Sequence, residues 1–233
     1  MNIPRFTTLL RHDTRLQFRN GIYLAYGVVI IMYVAALVSL GIYLPDWVPA
    51  LMIMTDPAVL GFFFLGALMM LEKAEDVRTG LAVTPVSARE YFWAKAIPLT
   101  GLAVIAVAII GALLHTGTNH LMLAAAVALI SICFLGIGVP TALLFKSVTS
   151  YLVGSAGYLI PIMLPILVAF GDRMPAWAIA VPTSAQMRLV LVATGARQAN
   201  SVELASMFGV ATLAAAAASW FAVRQLRKEL GIK

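Results

Sequence analysis

The chain has 233 residues, 62% of them hydrophobic and 11% charged, with a formal net charge of +6 and a mean hydropathy of +0.96. Soluble domains run near half apolar and a quarter charged, and one this greasy would expose large apolar patches, so the composition excludes a soluble fold and requires lipid. Long unbroken apolar runs exclude a β-barrel, whose strands alternate over about ten residues, and the single cysteine, Cys133, excludes an internal disulfide or a thiolate cluster.

Residues 1–20 come first, and within them residues 4–19 read as an amphipathic helix. Phe6, Leu9, Leu10 and Leu16 share one face, while Arg11, Arg15 and Arg19 line the other at four-residue spacing. Such a helix lies in the cytoplasmic interface with its arginines among anionic head groups. The apolar run after it, 21–44, is too long for a signal-peptide core and reads as a retained span. A bilayer core of about 30 Å needs roughly 20 apolar residues, and 92–114, 121–145, 149–170 and 203–223 meet that need. A sixth span, 57–71, is short. Asp56 before Pro57 reads as an N-cap with proline at the first helical position, and 49–54 as an outer interfacial or folded-back segment. With the N-terminus inside, 13 of the 16 basic residues fall on the inner side, and only Arg173, Arg188 and Arg197 fall outside. Both termini, including the basic tail 224–233, are therefore expected in the cytoplasm.

The elbow 72–91 between the second and third spans is the most informative stretch. A charged helix leaves the membrane, Gly80 supplies a helix end, and Pro85 disfavours helical continuation at Thr84. Ser87 and Glu90 then form a capping box. Tyr91 and Trp93 suit interfacial height, and Lys95 is expected to snorkel back to the head groups. The acidic helix, the Gly80-x-x-x-Thr84-Pro85-x-Ser87 turn, Glu90-Tyr91 and Lys95 resemble the corresponding region of ABC-2 type transporter permeases, nearest to antibiotic and fluoroquinolone export permeases. The layout of the whole chain is similar to the same family. The resemblance implies an all-α, six-span membrane domain over 21–223 of type V exporter-like architecture, behind an N-terminal interfacial helix. It implies that Glu72, Glu75, Asp76, Arg78, Thr84 and Pro85 contact an ATPase subunit. It further implies an exporter of amphipathic drugs, antibiotics or lipid-like compounds in the plasma membrane, built with a second permease chain, alike or different, and two ATPase chains that carry ATP and Mg. The outer segment 171–202 resembles the short surface helices that family members place between spans five and six.

Other chemistry is not evident in the residues. No phosphate-binding loop, metalloprotease or serine-nucleophile motif occurs, so this chain is not expected to be an enzyme or to hold a cofactor. His115 and His120 read as loop residues rather than metal ligands, and Gly154-Ser155-Ala156-Gly157 as helix packing. The span centres read as free of ionisable groups, with Asp56 and Lys95 near ends, so ion coupling is not expected and energy must enter through the elbow. Ala211, Ala215 and Ser219 recur every four residues, spacing that permits close packing within the chain or across a dimer. Pro161 and Pro165 predict a bend in span five. Phe62, Phe63, Met69 and Met163 would suit varied apolar substrates, yet no substrate residue can be named. The rivals are a membrane-embedded enzyme and an ATPase-independent transporter or structural subunit.

Overall fold

A backbone crossing lipid must satisfy its own hydrogen bonds, and helices do so segment by segment. The computed structural model describes residues 3–74, 86–114 and 117–230, and all regular structure among them is helical. α1 (Ile3–Arg19) meets α2 (Ile22–Leu40) at Gly21, whose φ of 73° suits glycine. α3 (Trp47–Val59), a π-helical turn (Leu60–Phe64) and α4 (Leu65–Ala74) run on as one helix. α5 (Ala88–Leu113), α6 (His120–Leu143) and α7 (Val148–Met163) follow, and a 3-10 segment (Leu164–Phe170) prolongs α7. The short α8 (Ala176–Ile179) and α9 (Pro182–Ala193) precede α10 (Ser201–Leu230). Six helical stretches are long and apolar enough to cross a membrane: Ile22–Leu40, Trp47–Lys73, Ala88–Leu113, His120–Leu143, Val148–Phe170 and Ser201–Glu229. The expected all-α, six-span class is observed.

α6 is the hub, packing against α3, the π turn, α4, α5, α7, α9 and α10. Its small residues permit this. Gly136 lies so close to α10 that a Cβ there would sit 2.6 Å from the Ala218 carbonyl carbon, and a Cβ on Gly138 would sit 3.3 Å from the backbone of Gly61 and Phe62. Ala211, Ala215 and Ser219 are buried on α10, with Ala215 and Ser219 bordering a groove.

Two expectations need correction. The second span begins at Trp47 rather than residue 57, so 49–54 is helix and Asp56 is not an N-cap. Asp56 sits inside the helix with its carboxylate satisfied by a tyrosine, and proline inside a membrane helix is tolerated where neighbours re-satisfy freed groups. Where Pro161 and Pro165 predict a bend, the helix passes from α to 3-10 geometry at Leu164. The outer segment does not lie wholly at the surface, because ten of the twelve residues of α9 are buried. Polar side chains of α9 complete the 3-10 carbonyls. Ser184 Oγ donates to Pro165 O (2.7 Å), and Arg188, 3% exposed, donates to the carbonyls of Ala169 (3.0 Å), Gly171 (2.7 Å) and Asp172 (2.9 Å). Arg197 donates to Phe170 O at 2.9 Å. A segment that reads as polar in sequence is therefore the internal cap of an irregular one.

Candidate functional site

α4 and α5 flank residues 75–85, and their facing ends carry charge. Glu72 lies in the last turn of α4, and Lys95 lies two turns into α5. Lys95 does not snorkel, being 1% exposed. Its Nζ donates to Glu72 Oε1 and to Asp13 Oδ1 of α1, the latter at 2.7 Å, and lies 4.6 Å from the Tyr91 ring centre. Tyr91 OH donates to the other Glu72 oxygen. Asp13 and Glu72 are each 4% exposed, so three charges and a phenol form one dry cluster joining α1, α4 and α5. Burial pushes the Asp13 carboxyl above its ordinary range, against the pull of the Lys95 ammonium.

A second link lies one turn away along α5. The Ser87–Glu90 capping box is present as expected, and its carboxylate has a further task. Arg5 Nη2 of α1 donates to both Glu90 oxygens, at 2.9 and 2.7 Å, while Ser87 N donates to Glu90 Oε2 at 2.9 Å. α1 is thus held at two points, Arg5 and Asp13, against α5. Since Arg5 and Asp13 carry opposite charges to their partners, the register of that docking is set electrostatically.

Of the residues expected to touch an ATPase, Glu72 is brought into this cluster. Glu75, Asp76, Arg78, Thr84 and Pro85 lie outside the described residues, as does His115. Asp13 and Arg5 were not singled out by the sequence, yet a signal existed. At 3.6 residues per turn, Asp13 and Gln17 fall in the middle of the face marked by Phe6, Leu9 and Leu10, and both are buried. Polar residues centred on an apolar stripe ask for a buried partner.

The span interiors are not free of ionisable groups. Asp56, 2% exposed, is the tenth residue of the 27-residue span Trp47–Lys73 and accepts from Tyr26 OH of α2. Tyr26 packs with Ala106, Leu102 and Ile30, well inside the apolar belt. The π turn lies one turn further along the same span. Its Phe62 carbonyl accepts from Tyr151 OH of α7, whose ring occupies the space above Gly66.

The sequence model of the Fluoroquinolones export permease protein family matches residues 4–230. Two curated proteins of Mycobacterium tuberculosis, each named Fluoroquinolones export permease protein and coming from strains CDC 1551 and H37Rv, are 25% identical over 174 residues. Each match covers 74% of this chain and 73% of the relative. No solved structure matches.

Proposed function

The chain belongs to the fluoroquinolones export permease protein family, and on that premise we propose that it is the membrane subunit of an ATP-driven exporter whose ATPase is a separate chain. The carrying observation is the Asp13–Lys95–Glu72 cluster. It ties the two helices that flank residues 75–85 to a third helix, so a push delivered at 75–85 acts on three elements together. Glu72 belongs to the inner anchor, and Glu75, Asp76, Arg78, Thr84 and Pro85 form the outer contact with the ATPase. ATP and Mg sit on that partner.

ATP binding closes the ATPase pair, moves the elbows and shifts the bundle between inward-open and outward-open populations. The termini face the cytoplasm of a plasma-membrane transporter, and amphipathic drugs, antibiotics or lipid-like molecules are the substrates. A second permease chain completes the unit, and α2 and α7, the least buried spans, offer it a face.

Glu75→Lys with Asp76→Lys tests the contact. The expected outcome is an ATPase that co-purifies with the parent chain and is lost from the variant, with transport falling at least tenfold. If assembly and transport both survive, the elbow is not the contact. A second reading, ion-driven transport, is favoured by one observation, the intramembrane Asp56.

A further inference from the structure

We infer that the groove between α5, α6 and α10 binds one phospholipid with an anionic head group, held by Arg89, Arg224 and Arg227, with an acyl chain lying along α10. The groove encloses about 690 Å³. Away from the arginines it is lined by Leu129 and Ile132 of α6 and by the short side chains of Thr212, Ala216 and Ser219 of α10, the Ser219 hydroxyl being satisfied by Ala215 O. Short side chains on α10 leave a furrow there, and bulky ones on α6 wall it. From Thr212 to Arg227 the helix rises about 22 Å, most of the roughly 30 Å hydrocarbon core. That is a slot for a chain, not for a compact ligand.

The mouth differs from the furrow. Trp93 of α5 and Trp220 of α10 line it beside the three arginines. Tryptophan rings favour the head-group level, and the Arg224 guanidinium is oriented over the Trp220 ring at 5.3 Å. Arg89 stands in the first turn of α5, where the helix dipole adds positive potential. None of the described residues lining the groove is acidic. The neighbouring Glu90 is taken by Arg5 and Ser87. An occupant must therefore bring negative charge and an apolar tail together.

The test uses the full chain with Trp47→Phe and Trp177→Phe, so that only Trp93 and Trp220 report. It is reconstituted in phosphatidylcholine vesicles doped with bromine-labelled phosphatidylglycerol or bromine-labelled phosphatidylcholine. The expected result is half-quenching at a roughly fivefold lower mole fraction of the anionic lipid, the effect of about one well-placed basic residue. Replacing Arg89, Arg224 and Arg227 with glutamine should abolish the difference. Thr212→Leu with Ala216→Leu fills the furrow, leaves the arginines in place, and should weaken quenching by the anionic lipid. Equal quenching by both lipids in the parent overturns the inference, as does a preference that survives the arginine substitutions. If filling the furrow instead separates a dimer into monomers and leaves lipid preference unchanged, the groove belongs between two copies and the lipid assignment fails.

Discussion

Lys95 faces two carboxylates in a dry place, so each partner's removal has a different consequence. Lys95→Met leaves Asp13 and Glu72 buried without a cation, which costs about 3–5 kcal/mol. Asp13→Asn leaves the Lys95–Glu72 pair intact and is expected to cost far less. Replacing all three with apolar residues of similar size should restore stability, since well-packed apolar substitutes for buried ion networks are often neutral or better. Transport should not return with it, because the electrostatic register between α1 and α5 is gone. Unfolding of the purified chain and transport in vesicles check the two halves separately. A pH dependence follows from the same site. Burial raises the folded Asp13 carboxyl above its ordinary 3.8, against the pull of Lys95 and His12 and reinforced by Glu72. The stability it contributes is therefore full while protonated and declines as pH rises from 3.8 through the raised value. Asp13→Asn should flatten that decline. The sequence made Glu72 and Lys95 visible as charges, but not their meeting. A separation of 82 residues between Asp13 and Lys95 has no local signature beyond a polar residue in an apolar stripe.

Helix by helix, what could be read depended on whether an element satisfies itself. α2, α5, α6, α7 and α10 are long apolar stretches that close their own hydrogen bonds, and their apolar runs located them. α3 and α9 depend on others. Pro49, Asp56 and Pro57 look like breakers in water, but Tyr26 completes Asp56 and the bundle tolerates the prolines. α9 looks like an exposed polar connector because its Ser184 and Arg188 face carbonyls of the 3-10 segment instead of water. The π turn makes the same point with a measurable cost. Tyr151→Phe removes a buried hydrogen bond to the Phe62 carbonyl, a loss of about 0.5–1.5 kcal/mol. Gly66→Ala should do more, since its Cβ would enter the Tyr151 ring and either displace the tyrosine or shift α4. Unfolding midpoints of the two variants check the order. A Gly66→Ala variant as stable as its parent would mean that α7 does not pack there.

Across the whole molecule, the source of energy turns on Asp56. Composition suggested a bundle interior without ionisable groups, and one buried carboxylate is enough to reopen ion coupling. Geometry weighs against it in one respect: Asp56 is 2% exposed and closed off by Tyr26 and the α2–α5 packing. A coupling carboxylate must meet its ion from both sides in turn, which this packing allows only if α2 separates from α3 during transport. The charge cluster at the far end of the same span needs no such opening to transmit a push. Asp56→Asn separates the two mechanisms, because asparagine can still accept from Tyr26 yet cannot bind or release a proton. For an ATP-driven exporter, transport by the variant should stay within about threefold of the parent and should be indifferent to collapse of the proton gradient. Loss of transport in the variant, together with gradient dependence in the parent, would make Asp56 the coupling group and demote the elbow to a structural contact. Transport retained in the variant but lost when the ATPase is omitted places the work at the 75–85 end, where α1, α4 and α5 are already tied into one unit.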